Sequence, residues 1–106
     1  MADHKHERRE EYLKELASEF VSRESNRTSL VTVTRISLTD HGDKATIFIS
    51  VLPDNQENAA MDFLTRNVKD FRGFVMEKIR NGKIPFFTFE IDKGEKLVRK
   101  IDALAK

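Results

Sequence analysis

Two runs of β-branched residues, separated by four turn-forming positions, constrain this chain more than any other feature. Leu30 to Thr39 carries Val31, Thr32, Val33, Thr34 and Ile36. Lys44 to Leu52 carries Ala45, Ile47, Ile49 and Val51 in strict alternation. Such residues suit a pleated, half-buried surface, so both runs read as strands. Asp40-His41-Gly42-Asp43 is a turn short enough to fold them back on each other as an antiparallel hairpin. The first run slips phase between Val33 and Ile36, and Arg35 falls where an inward side chain is due. A bulge or local twist is therefore expected there.

The remaining chain supplies helices and a third strand. From about Glu7 to Glu24, Tyr12, Leu13, Leu16, Ala17, Phe20 and Val21 recur at helical spacing, with charges between them. Ser25 to Ser29 breaks that pattern. From Gln56 to Arg80, Ala60, Phe63, Leu64, Val68, Phe71, Val75 and Ile79 again mark one helical face, with Asn67 and Gly73 as points of a possible kink. Asn81-Gly82 and then Pro85 stop the helix. Pro85 to Ile91 reads as a strand with Phe87, Phe89 and Ile91 on one face. Asp92-Lys93-Gly94 reads as a turn, and Leu97, Ile101 and Leu104 as a short C-terminal helix.

At 106 residues the chain is expected to form one domain over residues 1–106, with residues 1–6 as a flexible tail. Hydrophobic residues make up 39% and charged residues 35%, the mix of a soluble protein with a charged shell. No apolar run approaches the length of a membrane span, and the polar stretch Met1 to Glu11 lacks the apolar core of a signal peptide. The absence of cysteine excludes disulfides, thiolate metal sites and a cysteine nucleophile, and fits a cytoplasmic location. A net charge of +1 conceals a local excess: between Arg66 and Lys83 there are six basic residues and two acidic ones. Such a stripe is either a polyanion footprint or a solvated helix face.

No catalytic constellation can be assembled. His4 and His6 sit beside Glu7 in the expected tail, and His41 lies in the hairpin turn. Asn81-Gly82-Lys83 lacks the spacing of a phosphate-cradling loop, and no glycine-rich turn leads from a strand into a helix. The expectation is a binding protein, not an enzyme, with no cofactor and no metal. The element order is α-β-β-α(kink)α-β with a terminal helix, a three-stranded sheet packed on helices in an α+β domain. That is the order of the type II KH-like fold, a common RNA-binding module, although the usual Gly-x-x-Gly clamp is missing from this chain.

The residues resemble the ribosome-binding factor A family over nearly the whole chain. The hairpin Val31 to Thr39 and Ala45 to Leu52 looks like the family's paired strands. Pro85-Phe86-Phe87-Thr88-Phe89-Glu90-Ile91-Asp92 is similar to the family's Pro-x-Leu-Thr-Phe-x-x-Asp strand, with Ile101 and Leu104 at the family spacing beyond it. Leu64, Phe71, Arg72, Val75, Ile79 and Arg80 also fall on family positions. The resemblance implies a KH-like fold, binding to the immature small ribosomal subunit, help in late maturation of its 16S rRNA at the 5′ end, growth in the cold, and no catalytic activity. Where the family has Ala-x-Gly at its helical kink, this chain reads Asn67-Val68-Lys69, so the break is expected at Asn67 or displaced to Gly73.

The site expected from charge and resemblance is Arg66, Lys69, Arg72, Lys78, Arg80 and Lys83, holding rRNA phosphates. Helical spacing puts Lys69, Arg72 and Arg80 on one broad face. Structural roles stay open beside this one: Arg72 can pair with Glu77, and Arg80 can sit at a helix C-terminus. Phe74 and Met76 flank the core face, with packing the expected role of Phe74. The partners expected are the small subunit and its rRNA, with no membrane, for a monomeric protein. A generic KH-like RNA-binding module and a protein-interaction domain without RNA are the alternatives.

Overall fold

A computed structural model describes residues 4–24, 29–80 and 82–105. Met1 to Asp3 of the expected tail, Ser25 to Thr28 of the polar break, and Asn81 lie outside the described residues. The elements are α1 (His4–Glu24), β1 (Leu30–Leu38), β2 (Lys44–Leu52), a single 3₁₀ turn (Asp54–Gln56), α2 (Glu57–Arg66), α3 (Val68–Lys78), β3 (Phe86–Ile91) and α4 (Lys93–Ala105). The first helix begins earlier than its apolar spacing requires and takes in His4 to His6.

The hairpin forms as its sequence dictates. β1 and β2 pair antiparallel, from Leu30 opposite Leu52 to Leu38 opposite Ala45. Gly42 supplies the positive φ of +71° that the turn needs, and the Thr39 hydroxyl accepts the N–H groups of Asp43 and Lys44 at 3.1 and 3.2 Å. The ladder shifts register between Val33 and Arg35. Thr34 is the extra residue. The bulge turns Arg35 outward, so the inward place it was due is not filled by a cation. Its guanidinium instead stacks 3.8 Å from the centroid of the Phe48 ring.

β3 joins β2 in parallel, Lys44 beside Phe86 through Ile49 beside Ile91, giving the order β1-β2-β3. A parallel neighbour requires a long crossover, and α2 and α3 provide it. The inner face of the sheet (Val33, Ala45, Ile47, Ile49, Val51, Phe87, Phe89) packs against Leu13, Leu16, Ala17, Phe20 and Val21 of α1 and against Ala60, Leu64, Phe71, Phe74 and Val75. Phe71 is the centre of this core. Its ring lies 4.7 Å from Phe87, 5.2 Å from Phe20 and 6.0 Å from Phe89, centroid to centroid. Tyr12 stays at the exposed rim.

One local expectation holds and three are corrected. The helical run from Gln56 breaks at one of the two expected points. It breaks at Asn67, whose backbone N–H bonds to Phe63 O and Leu64 O while its side-chain amide donates to Phe63 O at 2.8 Å. Asn67 O then accepts from Phe71 N–H, so one helix ends where the next starts, without a loop. Gly73 is not a break: it lies inside α3 with no positive φ. The second helix ends at Lys78, because Ile79 is extended (φ −114°, ψ 106°). Asp92 does not open a free turn but caps α4, its carboxylate accepting Glu95 N–H at 3.0 Å and its carbonyl accepting Lys96 N–H. Asp92 and Glu95 stand at the spacing of a capping box, a signal that outranks the Lys-Gly turn reading.

α4 itself departs from the expectation that helices cover the sheet. It meets the body through Lys96 to Glu57 (3.1 Å) and Arg99 to Asp54 (3.9 Å), while Leu97, Val98, Ile101 and Leu104 are 53–87% exposed.

Candidate nucleic-acid interface

The six cations expected to bind phosphate have different surroundings. Arg66 ends α2, exposed and loosely paired with Asp62 at 3.9 Å. Lys78 turns to the Phe74 side of α3, its ammonium 5.5 Å from that ring, where Arg23 of α1 also lies at 4.9 Å. Arg80 follows the end of the helix, so helical spacing no longer puts it on a face with Lys69 and Arg72, and it does not sit in a helical C-terminal turn. Lys83 makes an ion pair with Asp43 in the hairpin turn. That hydrogen bond holds the Asp43 carboxyl below its usual value of 3.8. The backbone repeats the link, with Phe86 N–H donating to Asp43 O at 2.9 Å. Lys83 thus fastens the hairpin to the segment entering β3.

Lys69 and Arg72 do come together. Both line a groove of about 490 Å³ between α3 and the start of β3, with Val68, Gly73, Met76, Phe86 and Phe87. β3 is an edge strand of the sheet, so the groove lies along an unpaired margin of the molecule. Arg72 is fixed there without Glu77. One terminal nitrogen donates to Ile84 O at 3.2 Å, the other reaches Met76 Sδ at 3.7 Å, and the guanidinium lies 5.4 Å from the centroid of the Phe86 ring. Phe74 is buried, as packing demands, while Met76 is half exposed on the groove. Phe86 is the lining residue that reading by charge missed. Its signal was phase: it alternates with Phe87 and Phe89, which face the core, and so must face away.

A second cluster lies at the opposite end of β3, beside Ile49 of β2. The buried Asp92 carboxylate accepts the Thr34 hydroxyl at 2.6 Å and Glu95 N–H, and lies 3.4 Å from Arg35 Nε. The Thr34 hydrogen bond, then the Glu95 N–H, and further the charge of Arg35 hold its pKa below 3.8 against the opposing effect of burial. The β1 bulge is what turns Thr34 toward this carboxylate. Among the described residues no group of three or more His, Asp or Glu side chains is placed to hold a metal, and no helix is long and apolar enough to cross a membrane.

Comparison with known proteins gives a consistent picture. The family model for ribosome-binding factor A matches residues 5–105. The fold is similar to the crystal structure of ribosome-binding factor A from Thermus thermophilus, with a TM-score of 0.69 and 19% identity over 77% of this chain and 90% of that one. It is similar to a homology model of the Thermus thermophilus factor fitted into a cryo-electron-microscopy map of a 30S complex (TM-score 0.67, 18% identity, 76% and 88% covered). A solution structure of a Thermotoga maritima candidate for the same factor gives a TM-score of 0.64 at 23% identity, covering 76% and 80%. No curated protein sequence matches the chain. At these identities the likeness to the solved structures shows the fold, which is the KH-like α+β arrangement.

Proposed function

The chain belongs to the ribosome-binding factor A family, and from that premise we propose that it binds the small ribosomal subunit through its rRNA and assists the late maturation of 16S rRNA at the 5′ end. The observation that carries the rRNA contact is the groove, where Lys69 and Arg72 converge beside the open edge of β3. Arg72 is held in place by Ile84 O before any ligand arrives, so little side-chain entropy is lost when a phosphate meets it. The complex fitted for the Thermus thermophilus relative supports the same partner. Arg66, Lys78 and Arg80 add diffuse attraction rather than a defined contact. Lys83 serves the fold first, through Asp43. The protein acts by binding, as a cytoplasmic monomer, without a cofactor and without catalysing a reaction.

The test is sedimentation with purified small subunits across a salt series. Lys69→Glu with Arg72→Glu is expected to weaken binding strongly and to lower the salt slope by about 0.7–0.9 for each phosphate no longer held. Circular dichroism checks that the variant is folded. A folded double variant that binds with wild-type affinity and slope rules out the groove as the rRNA contact. Even spreading of the wild type over unrelated RNAs would instead favour a generic RNA-binding module. For the maturation step, cells lacking the protein are expected to accumulate 16S rRNA with an extended 5′ end, most strongly in the cold. Normal 5′ ends at all temperatures would remove that part of the reading.

A further inference from the structure

Resting on the rRNA reading above, we infer that the groove between α3 and β3 takes an unpaired base stacked on Phe86, so that the protein selects single-stranded over duplex RNA. Phe86 is 68% exposed, whereas its strand neighbours Phe87 and Phe89 are 6% and 5% exposed. An aromatic ring left in water gains none of the burial that holds those neighbours in the core. The ring is nonetheless in a built setting. The Arg72 guanidinium lies 5.4 Å from its centroid, and Arg72 is itself anchored on Ile84 O, with its buried Nε lacking a hydrogen-bond partner among the described residues. Lys69, one turn earlier in α3, lines the same groove.

A flat ring with two cations beside it matches the two halves of a nucleotide: a π face for the base and positive charge for the phosphate. A duplex keeps its base faces inside its own stack and offers only phosphates, so it meets the cations and not the ring. An apolar peptide uses Phe86 and Met76 but leaves Lys69 and Arg72 without countercharge. The charges therefore favour a single strand of RNA as occupant.

The experiment titrates the full chain into a short, end-labelled, mixed-sequence oligoribonucleotide, free and annealed to its complement, and follows anisotropy. The wild type is expected to prefer the single strand. Phe86→Ala is expected to weaken single-strand binding about 5- to 150-fold, the range of one base–aromatic stack, while leaving duplex binding and its salt slope unchanged. Phe86→Trp is expected to keep the affinity. Because the chain has no tryptophan, the new indole reports directly, quenched by the single strand and not by the duplex. Phe86 is exposed, so neither change threatens folding, which circular dichroism checks. The inference is overturned if folded Phe86→Ala binds the single strand as tightly as wild type, or loses the same factor on duplex. It is also overturned if Phe86→Ala loses affinity for intact subunits but not for the oligonucleotide, which would give the groove to a ribosomal protein. In the first two of those cases a loss of subunit binding by Lys69→Glu with Arg72→Glu leaves the rRNA reading standing, whereas the third removes the groove as the rRNA contact as well. A wild type that fails to sediment with small subunits defeats that reading itself.

Discussion

α1 and α4 are both amphipathic helices, and the apolar spacing of each is legible in the same way, yet they face opposite directions. α1 turns Leu13, Leu16, Ala17, Phe20 and Val21 into the core, all buried. α4 turns its charges inward, Lys96 to Glu57 and Arg99 to Asp54, and leaves Leu97, Val98, Ile101 and Leu104 in solvent. Periodicity states that a helix has an apolar face. It does not state what that face meets. α1 has a sheet to cover, and its Glu10 carboxylate even accepts the N–H of Leu38 at the end of β1. α4 begins where the sheet ends, and its direction is set by the Asp92 cap.

The largest effect that sharpens this contrast lies in the core that α1 covers. Phe71→Ala is expected to cost roughly 3–5 kcal/mol in denaturant melts, a large share of a small domain's stability. Phe89→Ala, in phase with Phe87 on the sheet, falls in the same range, and a loss below about 1 kcal/mol would contradict the strand phase. Leu13→Ala removes the same atoms from α1 that Leu97→Ala removes from α4. The first is expected to cost about 2–5 kcal/mol and the second to stay within about 0.5 kcal/mol. Equal losses would show that α4 lays its apolar face on the body in solution, and the contrast would be gone.

Next in size is the link that orients α4. Asp92→Ala removes a helix cap and leaves the Thr34 hydroxyl without its carboxylate, for an expected loss of about 1–3 kcal/mol. The folded pKa of Asp92 lies below 3.8, so its contribution is fully present above that value. It is lost as pH falls through the lower folded value. Wild-type stability should therefore drop more steeply than that of Asp92→Asn on acidification below about pH 4, which melts at stepped pH will show. The smallest effect has the opposite sign. Gly73→Ala is expected to stabilise by up to about 1 kcal/mol, because a Cβ there meets nothing within 4 Å and α3 runs unbroken through that residue. A loss of stability would mean that the helix bends at Gly73 as well as at Asn67.

Much of the molecule was open to reading from local pattern. The hairpin, its four-residue turn, the slip between Val33 and Ile36, the buried phase of β2 and β3 and the inward stripe of α1 all follow from residues a few positions apart. The capping signal from Asp92 to Glu95 was equally local, but it lost to the turn-like look of Lys93-Gly94. Phe86 was legible from its phase, although charge drew the reading to Arg66, Lys78, Arg80 and Lys83. The cation stripe was projected on one continuous helix across Asn67 and past Lys78, and the helix breaks at the first and gives way to extended chain after the second.

What the sequence by itself determined, then, is the set of elements, their order and the face each one would prefer to hide. Backbone geometry repeats every two or 3.6 residues, so side-chain spacing within a segment is enough to specify these. The tertiary structure alone decided that β3 lies parallel beside β2, that Lys69, Arg72, Met76 and Phe86 share one groove, and that α4 shows its apolar side to water. Each of these depends on contacts between residues distant in the chain. The Thr34 hydroxyl reaches a carboxylate 58 positions away, and Arg72 is held by a carbonyl 12 positions on. No spacing within a segment encodes such meetings, because they arise only when separate segments compete to bury one common core.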